Sequence, residues 1–392
     1  MADSLYCGKQ LHIEVAASQL RKAGEELCGD SFSITRTNAS TIIIVSDGLG
    51  SGVKANILSS LTTRMAATML KEGSKVDAVI DVLANTLPVC KVRDLAYSTF
   101  TIAQIKWDEG QVYLAEYDNP PVMLIRKKQP VCLKKTETVI GERVIQEANF
   151  TIENGDWMVL LTDGVLHAGI GGVWNLGWGW DRVEGYIRNI ACADMTAEEL
   201  ATEVLGLCDK LYAGKPGDDA TVVVVKARLP KYLTALVGPP VNPEQDREVA
   251  RRLCEREGVK VVCGGTTAQM VARITGKKLK VDLTSLAGSV PPVAEIEGID
   301  LTTEGMLTLA ETRSILVRSG SARALKGKRD GASRLAAALM DADNVHFIVG
   351  RAINPAHQSP DIPVTLAMKH QIVESIIDLL RQKGKEVTAE YF

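Results

Sequence analysis

Residues 42–56 read IIIVSDGLGSGVKAN, an unbroken β-branched run that ends on an aspartate and is followed by three glycines in five positions. Such a run predicts a strand buried on both faces, where branched side chains pack well. Gly48, Gly50 and Gly52 then permit a tight exit before a helix that begins near Val53. Asp47 is thereby placed at the end of a buried strand, beside a backbone free to come close to something small and charged.

The device recurs along the first half of the chain. WMVLLT runs into Asp163-Gly164, Asp30 opens the strand SFSITRT, and Asp218-Asp219 precede ATVVVVKAR. Strand ends in a layered sheet bring residues distant in sequence to one rim, so these acids are expected to meet. Carboxylates packed together repel, and one must take up a proton unless a cation neutralises them. Oxygen donors without a Cys and His cluster favour magnesium or manganese over zinc.

Composition bounds the rest. The 392 residues exceed the usual size of one domain, so two are expected. A net charge of -3, with no long basic face, argues against nucleic acid as the main partner. The N-terminal residues lack the pattern of a signal peptide and no 18-residue apolar run occurs, which predicts a cytoplasmic protein without a membrane role. The eight cysteines are scattered with no C-x-x-C pair, so reduced thiols are expected rather than disulfides or a zinc site.

Periodicity predicts a β-rich body over residues 1–229. Its expected strands are SFSITRT, TIIIVS, AYSTFTIAQIKW, GQVYLAEYD, PVMLIRK, VCLKK, ERVIQEANFTI, WMVLLT and ATVVVVKAR. Val53, Ile57, Leu61, Met65 and Met69 mark one face of an amphipathic helix, and further helices are expected at Asp77–Thr86 and Ala197–Leu211. From residue 230 the pattern changes to strand-helix alternation, with strands LTALVG, VKVVCGG, KLKVDL, IEGIDL and VHFIVG, and a long last helix near Thr365–Lys383. That alternation predicts a second, α/β domain over 230–392 with a mostly parallel sheet.

The four acidic motifs GDSFS (29–33), SDGLGSG (46–52), LLTDGV (160–165) and GDDATVVVV (217–225) occur in the order and approximate spacing of the type 2C metal-dependent protein phosphatases. The chain most resembles their bacterial branch, typified by stage II sporulation protein E, over roughly residues 1–228. The resemblance implies a β-sandwich flanked by helices, and so an α+β fold overall. It also implies hydrolysis of phosphoserine or phosphothreonine on a phosphoprotein by water activated at two divalent ions, Mn²⁺ or Mg²⁺. On the same ground Asp47 bridges the two ions and the Gly48 carbonyl binds the first. Asp163 and Asp218 bind the second, Asp30 supports the first through water, and Asp219 competes with Asp218 for the ligand role. Eukaryotic members carry a phosphate-binding arginine five residues before the first aspartate, where this chain has Glu25.

Other features stay open at this level. GIGGVWNLGWGW (169–180) reads either as a mobile flap for a protein substrate or as rings packed on the body. His167 is either a general acid for the leaving serine or a packing histidine. No cysteine is followed six positions later by arginine, so a cysteine-nucleophile phosphatase finds no support, and GDD alone is weak evidence for a polymerase. In the second domain, Gly264, Gly265, Thr266 and Thr267 at a helix start suit an anion, yet equally suit a glycine turn with threonine caps. A small ligand or protein partner regulating the phosphatase is expected there. The competing reading is a catalytically weak scaffold that signals through its C-terminal domain.

Overall fold

The computed structural model describes residues 11–86, 89–90, 95–96, 98–140, 143–172, 174–282, 293–318, 322–325, 327–352 and 364–392. Contacts divide the chain into two units, Met1–Leu229 and Pro230–Phe392.

In chain order the first unit has β1 (His12–Leu20), β2 (Asp30–Arg36), β3 (Ser40–Asp47), α1 (Gly52–Lys71), α2 (Val76–Thr86), the short pair β4 (Val89–Cys90) and β5 (Leu95–Ala96), β6 (Phe100–Lys106) and β7 (Gln111–Tyr117). There follow β8 (Met123–Arg126), β9 (Gln129–Pro130), β10 (Thr136–Ile140), β11 (Arg143–Thr151), β12 (Trp157–Leu161), α3 (Asp163–Leu166), α4 (Trp180–Ile190), α5 (Ala197–Leu211) and β13 (Ala220–Arg228). Two antiparallel sheets, ordered β1-β13-β12-β8-β9 and β10-β11-β7-β6-β3-β2, form a sandwich.

Between the sheets lie Ile43, Val45, Ile105, Leu114, Met158, Leu160, Val223 and Val225. The alternate residues of the same strands face outward under helices. Ile42 and Ile44 meet Ala66, Leu70, Val79 and Ile80, while Val159, Leu161, Val222 and Val224 meet Val183, Leu200 and Val204. The central strands are therefore buried on both faces, which is why IIIV and VVVV read as continuous apolar runs.

The helix after Asp47 corrects one expectation. Val53, Ile57 and Leu61 are exposed by 51%, 59% and 42%, and the buried side carries Ala55, Ser59, Thr62, Thr63, Ala66 and Leu70. A four-residue recurrence advances about 400° per step, so it drifts about 40° around a 3.6-residue helix at each repeat. Only Met65 and Met69, at its far end, reach the core. Small residues at the buried positions let α1 lie close on β2 and β3. VCLKK is not a strand either: only Gln129–Pro130 pairs, after a turn at Lys127 and Lys128, both at positive φ. The expected strand AYSTFTIAQIKW forms over Phe100–Lys106, and Tyr97 near its start lies outside the described residues.

The second unit runs β14 (Tyr232–Val237), α6 (Asp246–Glu255), β15 (Val259–Cys263), α7 (Gly265–Thr275), β16 (Leu279–Asp282), β17 (Val293–Ile296), β18 (Ile299–Thr303), α8 (Met306–Arg318), α9 (Gly331–Asp341), β19 (Asn344–Val349), α10 (Val364–Gln382) and β20 (Glu386–Tyr391). Its sheet is ordered β16-β17-β18-β15-β14-β19-β20. The five strands from β18 to β20 are parallel, and β17 and β16 add an antiparallel edge. IEGIDL is a hairpin, not one strand, because Gly298 turns the chain at φ +87°. The helices α6 and α7 cover one face, with α8, α9 and α10 on the other.

Leu160 sits at 1% exposure in the inter-sheet layer. Leu160→Ala should lower unfolding free energy by about 2–5 kcal/mol in chemical denaturation. A loss below about 1 kcal/mol would contradict the double-layer packing.

Candidate metal centre

The register of β2 and β3 sets Asp30 directly opposite Asp47. The Asp47 backbone is fixed by the residues just before β6: Thr99 N–H donates to its carbonyl at 2.9 Å, Ser98 Oγ donates to the same oxygen at 3.1 Å, and Asp47 N–H donates to Thr99 Oγ1 at 3.3 Å. At Gly48 an added Cβ would lie 2.0 Å from the Ala55 carbonyl oxygen, so the chain meets α1 more closely than any side chain allows.

From the other sheet, β12 delivers Asp163 as the first residue of the one-turn α3. Gly164 lies against the Asp219 carbonyl, which an added Cβ would approach to 1.9 Å, and Tyr212 donates to the Gly164 carbonyl at 2.7 Å. Glycine follows both acids because backbone crosses backbone there.

Asp30 joins the sheets. It is 2% exposed, and its Oδ2 accepts from Thr162 Oγ1 and from Thr221 Oγ1, each at 2.7 Å. Thr162 N–H also donates to the Thr221 carbonyl at 3.1 Å, and Thr221 N–H donates to Thr162 Oγ1 at 2.8 Å. The other oxygen, Asp30 Oδ1, is buried without a partner among the described residues.

Asp163, Asp218 and His167 each offer a ligand atom within 4.8 Å of the others. His167 Nδ1 is 3.7 Å from Asp163 Oδ2, and both side chains are about half exposed. Asp47 stands in hydrogen-bonding reach of Asp163 but outside that triplet. The acids therefore form a row with Asp163 in the middle, rather than a single knot of Asp47, Asp163 and Asp218. Asp219 points elsewhere: it is 4% exposed, its Oδ1 accepts from Lys22 N–H at 2.9 Å, and its Oδ2 is buried without a partner. Of the adjacent pair, it is Asp218 that lies beside Asp163.

The electrostatics follow. Burial, then the charges of Asp30, Asp163 and Asp218, push Asp47 up to about 9. Burial pushes Asp30 up to about 7 against the two threonine hydroxyls, with Asp219 and Asp163 adding to the rise. Asp218 is raised by burial and by Asp163, and Lys22 draws it partly back. Asp30, Asp47 and Asp218 are each disfavoured as anions by their surroundings. Orphaned buried oxygens, clustered carboxylates and predominantly oxygen donors fit a divalent cation of the magnesium or manganese kind.

The tryptophans beyond His167 pack on the body. Trp178 is 2% exposed with Tyr186 edge-on at 5.5 Å, Trp174 lies under Arg182 at 5.2 Å, and Trp180 Nε1 donates to the Pro121 carbonyl at 3.1 Å. Glu25 accepts from Ser51 Oγ at 2.8 Å, at the entry to α1. In the second unit, Gly264 (φ +116°) and Gly265 open α7 at the carboxyl edge of the sheet, and the buried Thr267 Oγ1 has no partner among the described residues. Thr266 occupies the first turn of the same helix.

Residues 37–228 match the family described as stage II sporulation protein E (SpoIIE). The chain is 25% identical to the stage II sporulation protein E of Priestia megaterium over 230 residues, which is 57% of this chain and 38% of that protein. It is 47% identical to the phosphoserine phosphatase RsbX of Bacillus subtilis (strain 168) over 45 residues, 12% of this chain and 23% of that protein. The chain thus spans less than half the length of these curated relatives. A solved structure of the PP2C phosphatase domain and a fragment of the regulatory domain of SpoIIE from Bacillus subtilis aligns with a TM-score of 0.49 at 20% identity, over 56% of this chain and 63% of that chain. The matched residues lie within the N-terminal unit, whose sequence is thus similar to the stage II sporulation protein E family.

Proposed function

We propose that this protein is a metal-dependent phosphatase that hydrolyses phosphoserine or phosphothreonine on a regulatory phosphoprotein. The observation that carries the reading is the row of acids drawn from both sheets, in which Asp30, Asp47 and Asp218 are raised in pKa and Asp30 Oδ1 is buried without a partner among the described residues. The family match supports the same chemistry, since one relative is a phosphoserine phosphatase.

In this reading Asp47, Asp163 and Asp218 hold two ions, Mn²⁺ or Mg²⁺, with the Gly48 carbonyl beside them. Bound there, divalent ions supply Lewis-acid polarisation and offset charge on the phosphoryl oxygens. Asp30, fixed by Thr162 and Thr221, orients the row from beneath. Asp219 fixes Lys22 through its backbone N–H and so shapes the loop beside Asp218. His167, half exposed beside Asp163, hands a proton to the serine oxygen as it leaves. Cys28, Cys132, Cys192, Cys208, Cys254 and Cys263 are free thiols, in keeping with work in the cytoplasm, and no described helix is long and apolar enough to cross a membrane.

Turnover of a phosphoserine peptide should require Mn²⁺ or Mg²⁺ and fall on the order of 100-fold or more in Asp47→Asn. Activity that survives both chelation and that substitution overturns the reading. His167→Gln should slow the phosphoserine peptide about 100-fold but p-nitrophenyl phosphate only slightly, because nitrophenolate leaves without a proton. Equal losses on both substrates would remove the proton-donor role.

The raised acids also set a pH dependence. With folded pKa values above the ordinary 3.8, Asp30 and Asp47 keep protons in the folded state that the unfolded chain has released. In chelator this contribution to stability is therefore intact below about pH 4 and is lost as pH rises through about 7 to 9. Thermal unfolding in EDTA should show a midpoint falling across that window more steeply than in Asp47→Asn, with Mn²⁺ raising it more at pH 8 than at pH 5. Parallel pH profiles for the two proteins would refute the account.

A further inference from the structure

The parallel strands of the second unit run β18-β15-β14-β19-β20 across the sheet, while the chain visits β14, β15, β18, β19 and β20 in that order. The winding thus reverses at β14, and the carboxyl edge beside it is where open α/β sheets bind ligands. At this edge the chain has placed a lysine. Lys369, on α10, donates from Nζ to the Gly350 carbonyl at 2.7 Å, just beyond β19. Its ammonium also lies over Gly238, just beyond β14, where an added Cβ would fall 1.9 Å from Nζ. Gly238 is at φ +82°, and Gly350 packs so closely on Pro239 that an added Cβ would lie 2.0 Å from its carbonyl oxygen.

That single carbonyl accounts for one of three ammonium donors. No carboxylate among the described residues is within ion-pair distance of Lys369, and burial pulls its pKa down. A half-buried ammonium ringed by glycine backbone is suited to an anion. Along the same edge, one strand further, Gly264 and Gly265 open the eleven-residue α7. Thr267, fully buried in the first turn, aims its unpartnered Oγ1 back at Gly264, 3.0 Å from where a Cβ would stand. After β18, the exposed Glu304 carboxylate lies 3.2 Å from the corresponding position on Gly265. A carboxylate there disfavours an anion at the start of α7, and accepts hydrogen bonds from hydroxyls instead.

We propose that this edge binds a small phosphorylated molecule bearing hydroxyls, of the sugar-phosphate or nucleotide class, with its phosphoryl group on Lys369 and its hydroxyls on Thr267 and Glu304. The loops after β14 and β18 are separated by two strand spacings, about 10 Å, which suits one small molecule better than a lone ion. Glycines at 238 and 350 are needed for the lysine to lie against backbone, and the threonine hydroxyl has no other use among the described residues.

Ribose 5-phosphate is the probe, titrated calorimetrically into the full chain in EDTA so that the acidic row of the N-terminal unit carries no metal. Saturable one-site binding is expected, tighter than that of inorganic phosphate or of ribose alone and unchanged in Asp47→Asn. Lys369→Gln should weaken it at least 10-fold, and Glu304→Gln and Thr267→Val several-fold. Thr267→Val is isosteric and removes an unpartnered hydroxyl, so it should fold at least as well as the parent and decides the matter if Lys369→Gln does not fold. The proposal is overturned by absence of saturable binding, by inorganic phosphate binding as tightly as ribose 5-phosphate, by binding that Thr267→Val leaves intact, or by binding that Asp47→Asn abolishes.

Discussion

Asp30 takes hydroxyl bonds from Thr162 on one side and Thr221 on the other, and through them a strand of one sheet is tied to two strands of the facing sheet. Two short charge-assisted bonds in a site only 2% exposed hold far better than the same pair in water. Those hydroxyls offset part of the cost of burying the Asp30 charge, though the carboxyl still sits well above its ordinary pKa. Asp47 stands directly across the strand pair from it, and Asp163 directly follows Thr162, so the spacing of the whole row descends from this one clamp. Gln19 adds a further support, donating to Thr221 Oγ1 at 3.0 Å and to the Asp30 carbonyl at 3.3 Å.

The sandwich and the acidic rim were legible in the sequence because they rest on strong local signals. IIIVSDG and VLLTDG are runs of branched residues ending in an acid and a glycine, and each element carries its own punctuation. What was not legible depended on partners far away. The apolar spacing on α1 suggested a core-facing stripe, but the small residues that actually face β2 and β3 are chosen for close approach, not hydrophobicity. α4 and β20 carry mixed, polar sequences, DRVEGYIRNI and EVTAEY, whose burial comes from neighbours supplied by the rest of the fold. Asp218 and Asp219 are identical in type and adjacent, and they are separated only by tertiary neighbours: Asp218 lies beside Asp163, while Lys22 N–H holds Asp219.

Lys369 shows the same limit from another side. In AMKHQ it is an ordinary helical lysine, and nothing in its local sequence distinguishes it from Lys383 or Lys385. Its position over Gly238 arises from a sheet that reverses direction at β14 and from a last helix that returns across that edge. The glycines were visible but ambiguous, since a turn and a close approach to a side chain demand the same residue. The alternation of strand and helix predicted a parallel sheet, but the order of its strands, which sets which loops lie side by side, is a property of the assembled sheet.

Both units place chemistry where backbone comes too close for a Cβ. In the first, Gly48 and Gly164 let the acid-bearing loops press on Ala55 and Asp219; in the second, Gly238 and Gly350 press on Lys369 and Pro239. Groups held by such contacts have little room to move apart, so their mutual repulsion or unmet hydrogen-bonding capacity cannot be relieved by a shift of the chain. An acid row must then bind protons or cations, and an ammonium must find an anion or water. The stiffness of these crossings, more than the number of charges at either place, is what suits the residues gathered there to binding.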